Sequence, residues 1–461
     1  MRKILLSLAS SMLLILSFCS PALGFISFFA LVPLLRAIAS SSSWREAFGY
    51  SYVTGVMLNA FVFFWLTNGI WLVFIIASLL YGLYIAGFGV SLYFLKIRFP
   101  RRFIFSAPLL WVAFEWLKGY GFFAFPIGLI AHTLAGTQGL LQLARVTGIL
   151  FISLLIVGIN VLVYQIIESK TRIAKLIAMV TILLIFLFWT LTGKSLLAKH
   201  HGKAQKIMRV ALIQGNILPK VKWNTAFLSQ SIDIYEKLSI EALKSKPEMI
   251  VWPETAVACF LFHPERKEYL ERLLSFSKEI HIPLLLGTLD LQFQNRKYAF
   301  NSAVLLENGR VVGKYDKIKL IPIMERAPFK RLIPFLRRHN LGSIYDPGTE
   351  YTIFQAAGRR FGVLICFEGI FAGHAKKFKD KGVDFFLNIT NDNPALGKMN
   401  FYHRENIDIL KIRAIENQVP VVRCSNDGIS GVIDANGDII SEFPLYQRGF
   451  FLAEVPIYTN Q

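Results

Sequence analysis

Apolar stretches of about the length that crosses a lipid bilayer recur through residues 1–193, and they constrain the fold more than any other feature of the chain. We place seven of them, at Ile4–Cys19, Phe25–Ala39, Phe48–Leu66, Ile70–Leu92, Phe103–Leu117, Leu150–Ile167 and Ile177–Leu191. A spanning segment needs roughly 20 helical residues, because lipid offers backbone polar groups no partners. With 54% hydrophobic and 17% charged residues, the chain is also too apolar for an ordinary soluble protein. The sequence therefore predicts a multi-span α-helical membrane domain over residues 1–193.

The charged residues indicate how these stretches are oriented. Residues 1–193 hold 13 of the 50 lysines and arginines but 3 of the 30 acidic residues. The basic residues cluster in alternate connectors, which by the positive-inside rule places the N-terminus in the cytoplasm. Seven crossings then place everything after Leu191 on the outer face of the membrane. A basic excess between apolar stretches suits an anionic membrane surface, and no basic patch with interleaved aromatic residues indicates nucleic-acid binding.

Two features of the apolar half leave alternatives open. Residues 1–24, a basic start followed by an apolar run and a small-residue segment, resemble a signal peptide, but a second apolar stretch follows almost at once. We therefore expect an uncleaved first helix. Glu115, with Lys118 and His132 near it, lies in or next to the fifth stretch. A carboxylate at membrane depth is a candidate functional group, while a charged side chain that reaches the interface is the alternative interpretation.

After a basic linker at residues 194–206, the pattern changes to short β-type runs that alternate with amphipathic helical segments, including Asn224–Ser245 and His263–Ile280. The predicted strands are Ile207–Ile217, Met249–Trp252, Pro283–Leu291, Ala299–Leu306, Arg310–Lys314, Tyr351–Phe354, Phe361–Cys366, Val383–Ile389, Pro420–Cys424, Ser430–Asp434 and Phe450–Val455. Asn-Gly pairs at 308–309 and 436–437 indicate hairpin turns. Residues 207–461 are therefore predicted to form an α/β layered domain.

Three reactive side chains follow predicted strands of this domain. Cys366 ends an apolar run, Glu254 comes just after the strand that ends at Trp252, and Lys317 follows the second strand of a hairpin. Their side chains can meet above one sheet, where they would supply a nucleophile, a base and a cation for acyl transfer. His374 and His403 offer an alternative Cys-His pair, although neither sits in a nucleophile motif.

The other cysteines carry no such signal. Cys259 and Cys424 are expected to be small buried side chains, and four cysteines without a CxxC pair indicate neither a metal site nor a disulfide framework. We expect no metal and no organic cofactor.

Four motifs around the three reactive residues resemble the nitrilase, or carbon-nitrogen hydrolase, superfamily, whose triad is Glu, Lys and Cys. They are Pro253–Ala256, Tyr315–Lys317, Ile365–Glu368 and Asn388–Asp392, supported by residues 213–216, 222–223, 413–416 and 421–423. The apolar half, with Glu115-Trp116-Leu117-Lys118-Gly119-Tyr120 and Phe125-Pro126 in one segment, makes the chain similar to bacterial apolipoprotein N-acyltransferases. This resemblance extends over nearly the whole chain and implies an αββα sandwich for residues 207–461.

The resemblance also implies roles for individual residues. Cys366 would be the nucleophile, Glu254 the general base and Lys317 the cation that stabilises the oxyanion. Supporting glutamates match at Glu325 and Glu368. Candidate substrate-binding residues are Trp223, Phe367 and Glu115.

The implied reaction moves an acyl chain from the sn-1 position of a phospholipid, through a Cys366 thioester, to the N-terminal α-amine of an S-diacylglyceryl-cysteine lipoprotein. The implied partners are thus a phospholipid donor, a diacylated apolipoprotein acceptor and membrane lipid. The implied location is the bacterial inner membrane, with the catalytic domain on the periplasmic face.

Several positions depart from the family pattern. Phe367 stands where tyrosine is usual, Met324 where glycine is usual, and Arg326 where an aromatic residue often stands. Residues 393–397 replace a Trp-Phe-Gly segment, and no apolar span follows Tyr458, so we expect the first seven spans to supply the membrane anchor. Two alternatives remain, a membrane-anchored amidase with the same triad and an inactive binding or transport protein.

Overall fold

The computed structural model describes residues 2–68, 71–199, 206–293, 297–322, 324–326, 345–392 and 400–458. The chain divides into two compact units, Met1–His201 and Gly202–Gln461. The altered segment at residues 393–397 lies outside the described residues.

The first unit is helical. Its α-helices are α1 (Arg2–Cys19), α2 (Val32–Ala39), α3 (Trp44–Val62), α4 (Trp71–Arg98), α5 (Ala107–Leu117), α6 (Gln138–Leu141), α7 (Ala144–Thr147), α8 (Ile149–Glu168) and α9 (Arg172–Lys199). Short 3₁₀ segments at Pro21–Phe28, Phe64–Asn68, Phe103–Ser106 and Ile130–Leu134 extend or connect them.

A helical segment lies at each of the seven predicted spans. Among the described residues, five helical stretches are long and apolar enough to cross a membrane, at Arg2–Cys19, Pro21–Ala39, Trp71–Arg98, Ile149–Glu168 and Arg172–Ala198. Helix α3 overlaps the third predicted span without being among these five, and the stretch Phe103–Leu117 is apolar but shorter. The prediction of a multi-span helical region is confirmed.

Small and polar residues hold these helices together. A Cβ atom at Gly55 of α3 would lie 2.6 Å from the backbone oxygen of Gly82 in α4, so the two helices pack backbone against backbone. Asn160 of α8 accepts a hydrogen bond from the backbone N–H of Leu31 at 2.8 Å and donates to the carbonyl of Ser27 at 2.8 Å. Such contacts give specific packing where lipid supplies no hydrophobic driving force.

The second unit is a sandwich of two β-sheets. Its strands are β1 (Lys206–Gln214), β2 (Met249–Val251), β3 (Val257–Phe260), β4 (Leu284–Phe293), β5 (Lys297–Glu307), β6 (Arg310–Asp316), β7 (Ile353–Ala356), β8 (Arg359–Ile365), β9 (Phe385–Thr390), β10 (Val421–Ser425), β11 (Ser430–Ile433), β12 (Ile439–Phe443) and β13 (Gly449–Ile457). One sheet has the order β13-β1-β2-β4-β5-β6 with β3 paired to β4, and the other has the order β12-β11-β10-β9-β8-β7.

Helices cover the outer faces of both sheets. They are α10 (Pro219–Lys222), α11 (Leu228–Leu243), α12 (Lys267–Glu279), α13 (Ala372–Asp380) and α14 (Asn400–Asn417). One buried apolar cluster joins the facing sides of the two sheets, with Val210 and Leu285 from one sheet and Val363 and Leu387 from the other. A second cluster packs α11 and α12 on the first sheet. This α-β-β-α layering confirms the predicted sandwich.

All eleven predicted strands are present within a few residues of their predicted bounds. Among the described residues, strands β3 and β12 were not predicted. Strand β3 has four residues, too few to show an alternating apolar pattern. Strand β12 begins soon after a hairpin turn. At that turn, Asp434 N–H donates to Asp438 and Gly437 has a φ of +83°, as an Asn-Gly hairpin requires.

Candidate active site

Cys366 follows strand β8 directly and opens a short 3₁₀ helix, Cys366–Ile370. Its backbone φ is +54°, in the left-handed region that a side chain with a Cβ adopts at a cost of about 1–3 kcal/mol. This sharp turn projects the thiol from the carboxyl end of a parallel strand. Asn388 of β9 holds the turn, because its side-chain amide donates to the carbonyls of Leu364 at 2.8 Å and of Cys366 at 3.0 Å.

Asn388 is itself fixed by a buried ion pair. The Arg423 guanidinium donates to the Asn388 side-chain oxygen at 2.5 Å and to both oxygens of Asp392, at 2.8 and 2.6 Å. Both bonds to Asp392 come from one guanidinium nitrogen, and charge-assisted bonds of this kind are roughly twice as strong as neutral ones. The geometry of the thiol turn therefore depends on strands β9 and β10.

Glu254 lies in the turn after β2 and is 6% exposed. Its Oε1 accepts from the Asn301 amide at 2.8 Å, and its Oε2 accepts from the backbone N–H of Asn391 at 2.9 Å. Because Asn301 lies in one sheet and Asn391 follows β9 of the other, the carboxylate bridges the two sheets. The turn also approaches β4 closely, since a Cβ at Gly287 would lie 2.6 Å from the Cα of Glu254.

Lys317, fully buried just after β6, brings an ammonium group to the same place. Its Nζ donates to Oε1 of Glu325 at 2.7 Å and lies 3.4 Å from Oε1 of Glu254. Its backbone N–H donates to the Asn301 carbonyl at 2.8 Å, so Asn301 orients both the lysine and the glutamate. Glu325 also accepts from the backbone N–H of Ile321 at 2.9 Å.

The charges of this cluster act on the thiol. Burial raises the pKa of the Cys366 thiol far above its ordinary value, the carboxylates of Glu254 and Glu325 raise it further, and the ammonium of Lys317 opposes them. The pKa of Lys317 is itself held well above its ordinary value, because Glu325 and Glu254 outweigh the effect of burial. The thiol therefore rests protonated beside a permanent cation, and it needs a neighbouring base to become a nucleophile.

Glu368, predicted as a supporting glutamate, holds the backbone around the site. It is fully buried and accepts hydrogen bonds from the Tyr315 hydroxyl at 2.8 Å and from the backbone N–H groups of Ile318, Lys319 and Ile365 at 2.8, 2.9 and 2.8 Å. These donors flank Lys317 and Cys366. Glu368 thus ties together the two backbone segments that carry the ammonium and the thiol.

Glu368→Gln is expected to lower the free energy of unfolding by about 2–4 kcal/mol at pH 7, because a neutral amide replaces a carboxylate with several charge-assisted bonds. Burial raises the pKa of Glu368, but His374 and the backbone donors outweigh it and hold the pKa below its ordinary value of 4.5. The carboxylate's contribution is therefore complete above pH 4.5 and declines as the pH falls through the lowered pKa. Thermal unfolding from pH 7 to pH 3 should show that the difference in stability between wild type and variant becomes smaller as the pH falls.

The matched control for this prediction is Glu442→Gln, since the Glu442 side chain is 48% exposed and pairs with Arg404 at 3.4 Å. It should change stability little at any pH. A gap between wild type and Glu368→Gln that stays constant into acid would contradict the assigned role of the Glu368 charge.

The remaining candidate residues lie in several surroundings. Trp223 is 49% exposed just after α10, whereas Phe367 is 6% exposed and packs in the interior. Glu115 belongs to the helical unit, where it is 5% exposed and its Oε1 accepts from the Trp111 ring N–H at 2.9 Å and from Ile130 N–H at 2.7 Å.

His374 and His403 each belong to a hydrogen-bond network that includes a tyrosine and a carboxylate. His374 contacts Tyr351 at 3.0 Å and Glu368 at 3.3 Å, and His403 contacts Tyr446 at 3.1 Å and Asp392 at 3.6 Å. These surroundings do not favour a Cys-His pair. Among the described residues, no three histidine, cysteine or acidic side chains are arranged to hold a metal ion.

Two residues of the site were not assigned a role from sequence. Asn301 lies inside an apolar strand run, where a buried amide is a detectable signal, but its partner depends on the register of β4 with β5. Lys222 is 3% exposed and its Nζ donates to the backbone carbonyl of Glu254 at 2.9 Å. The only sequence signal for Lys222 is its place beside Trp223 in a recognised motif.

The cluster thus combines a partly buried thiol, a hydrogen-bonded carboxylate and a permanent ammonium at strand ends from both sheets. A carboxylate beside a thiol can take its proton, and an ammonium can stabilise the oxyanion that forms when the sulfur attacks a carbonyl carbon. Such a set of groups suits acyl transfer through a thioester.

Comparison with known proteins gives the family. The carbon-nitrogen hydrolase family model matches residues 209–459, and the model of the apolipoprotein N-acyltransferase N-terminal domain matches residues 10–162. An apolipoprotein N-acyltransferase from Geobacter metallireducens is 33% identical over 98% of this chain and 89% of its own length. One from Chlorobaculum tepidum is 26% identical over 98% and 90%.

Among solved structures, a nitrilase-superfamily amidase from Nesterenkonia sp. AN1 is 17% identical, covers 56% of this chain and 92% of its own length, and has a TM-score of 0.43. With matching models for both halves and relatives aligned almost end to end, the chain belongs to the apolipoprotein N-acyltransferase family of carbon-nitrogen hydrolases.

Proposed function

We propose that this protein is an N-acyltransferase that moves an acyl chain from the sn-1 position of a phospholipid to the N-terminal amine of a diacylated lipoprotein, through a thioester on Cys366. The observation that carries the proposal is the Glu254–Lys317 contact of 3.4 Å, with the charges of both groups acting on the Cys366 thiol. Family membership and the apolar helices support a lipid donor.

In the first half-reaction, Glu254 takes the proton of the thiol while the sulfur attacks the ester carbonyl carbon. Two N–H groups of Lys317 are directed to Glu325 and Glu254 within the described part of the chain, which leaves a third to donate to the new oxyanion. The carbon–oxygen ester bond then breaks. The lysophospholipid leaves with the proton that Glu254 holds, and the acyl chain remains on sulfur.

In the second half-reaction, the neutral α-amine of the lipoprotein attacks the thioester carbonyl and Glu254 takes its excess proton. The carbon–sulfur bond breaks, the thiolate regains a proton from Glu254, and an amide is released. Dividing the transfer in two lets one lipid leave before the other enters. Water competes for the thioester, so a site near lipid, with apolar surroundings, favours aminolysis.

We also propose a location in the bacterial inner membrane, with about seven spans over residues 1–193, a linker at 194–206 and the sandwich at 207–461 on the periplasmic side. The alternate distribution of basic connectors supports this orientation. Trp223, Phe367 and Glu115 remain proposed substrate-binding residues. A periplasmic reporter fused after residue 203 should be active, and a silent fusion would contradict the orientation.

The full-length protein in detergent, supplied with phosphatidylethanolamine deuterated in its sn-1 chain and a diacylated lipopeptide, should transfer label to the peptide's α-amine. Mass spectrometry should find lysophospholipid and triacylated peptide in equal amounts, with little free fatty acid. Phospholipid deuterated at sn-2 and an N-acetylated lipopeptide are the matched controls. Neither should yield labelled peptide, and the sn-2 label should remain on the lysophospholipid.

Other outcomes of this experiment would contradict the proposal in different ways. Labelled fatty acid without acylated peptide would indicate hydrolysis, as expected of a membrane-anchored amidase. Label that comes from the sn-2 chain would overturn the donor position. No reaction with either lipid, from protein that unfolds cooperatively, would favour an inactive binding protein.

A further inference from the structure

Lys222 is a buried lysine that the proposed reaction leaves without a part. It ends helix α10, is 3% exposed, and donates from Nζ to the backbone carbonyl of Glu254 at 2.9 Å. A lysine is almost never fully buried without a partner. Its ammonium therefore reinforces the turn that carries Glu254. It binds the backbone carbonyl oxygen of Glu254, whereas Asn301 and Lys317 contact the side-chain carboxylate.

Asp427 supplies the opposite charge. It follows strand β10, is fully buried, and lies close enough to Lys222 for each charge to affect the other's proton. The charged and titratable groups around the pair come from several elements. Those that act on Lys222 are Glu254, Cys366 and Asp427, and those that interact with Asp427 are Asp392, His403, Tyr235 and Tyr446.

These surroundings give Lys222 a proton that is easily lost. Burial lowers the pKa of Lys222 to about 8, against the opposing effects of Glu254, Asp427 and Cys366. Burial raises the pKa of Asp427 to about 7, the Asp392 carboxylate acts in the same direction, and Lys222 opposes them. Lys317, by contrast, stays protonated throughout this range. Of these two lysines beside the thiol, Lys222 is the one whose charge changes near neutral pH.

We propose that Lys222 is a positioning residue for Glu254, and that the buried carboxylate of Asp427 keeps Lys222 charged so that the base is held in place for Cys366. This inference rests on the proposed role of Glu254 as the base. A charged donor makes a hydrogen bond roughly twice as strong as a neutral one, so loss of the proton weakens the hold on the Glu254 carbonyl. It also removes a positive charge near the forming thiolate.

The test measures how fast iodoacetamide alkylates Cys366 in the full-length protein between pH 6.5 and 9.5, with peptide mapping to assign the site. Below pH 7, Lys222→Met should react about five- to tenfold more slowly than wild type, the effect of about 1–1.5 kcal/mol. Above pH 8 the two rates should converge, because wild type then loses the same charge. The exposed Lys220→Met, on the same short helix, should follow wild type at every pH.

Asp427→Asn provides a second arm that does not remove the lysine. Without this carboxylate Lys222 loses its proton more easily. The alkylation rates of Asp427→Asn and of the Asp427→Asn/Lys222→Met double variant should therefore converge at a lower pH than those of wild type and Lys222→Met. A constant ratio between wild type and Lys222→Met at every pH would show a merely structural role and overturn the inference. Equal rates at every pH, or an unmoved convergence in Asp427→Asn, would also overturn it.

The test does not depend on the acyl donor, because iodoacetamide reacts with the thiol in the absence of lipid. Convergence of the two alkylation rates above pH 8, without any lipopeptide acylation, would therefore sustain the inference while the proposed function failed. If the lipopeptide is acylated but the ratio of the wild-type and Lys222→Met alkylation rates does not change with pH, the proposed function would stand and the inference would fail.

Discussion

Cys366→Ala is expected to abolish both acyl-enzyme formation and lipopeptide acylation, with a loss of at least about 10⁴-fold in rate. The alanine variant lacks the sulfur that forms the thioester, and water or the acceptor amine cannot take its place at the phospholipid ester. The variant should fold, because Glu254 and Lys317 keep their hydrogen bonds to Asn301 and Glu325 when the sulfur is removed. The measurement is the rate of labelled triacyl peptide formation.

The matched control is Cys259→Ala. Cys259 lies in strand β3, is 6% exposed, and packs in the cluster between α11, α12 and the first sheet. Removing its sulfur should cost some stability through the small cavity but leave the rate within a few-fold of wild type. Residual transfer by Cys366→Ala above about one part in 10³ of the wild-type rate would contradict a nucleophilic role for this thiol.

Lys317→Met is expected to reduce both activity and stability strongly. Removing the ammonium leaves Glu254 and Glu325 buried without their common cation, which costs about 3–5 kcal/mol of unfolding free energy. The loss of an oxyanion donor should lower the acylation rate by on the order of 10²–10³-fold. Thermal unfolding and single-turnover acylation measure the two effects separately.

The double variant Lys317→Met/Glu325→Gln separates stability from catalysis. Burial and Glu254 raise the pKa of Glu325, and the ammonium of Lys317 opposes them. In the single variant the Glu325 carboxylate has lost this cation, and Glu325→Gln removes the uncompensated charge. The double variant should regain part of the lost stability and none of the lost activity. Recovery of the acylation rate together with stability would show that Lys317 acts through folding alone.

Sequence reasoning could place the candidate site residues at strand ends, although these strands belong to two sheets and β6 runs antiparallel to β5. Cys366, Glu254 and Lys317 each follow a run whose apolar pattern and turn residues mark its end, so their strand-end positions are predictable. The helical spans were equally accessible, since lipid demands long apolar helices. Family motifs added the αββα layering, which periodicity alone does not determine.

The contacts within the site were less accessible. Glu368 turns into the interior because the 3₁₀ helix after Cys366 directs its side chain toward Tyr315, and no sequence spacing indicates that direction. Asn301 reaches Glu254 only through the register of β4 with β5, and Lys222 reaches it from a helix some thirty residues away in sequence. Long-range register and buried polar pairing are properties of the packed sandwich, not of a local pattern.

The most direct measurement maps the acyl group on the protein itself. The full-length protein is incubated with sn-1-labelled phospholipid in the absence of acceptor, digested, and examined by mass spectrometry with and without neutral hydroxylamine. The account predicts label on the peptide that contains Cys366, released by hydroxylamine and by a diacylated lipopeptide at a rate that matches turnover. Label on another residue, or continued turnover with Cys366 never acylated, would contradict it.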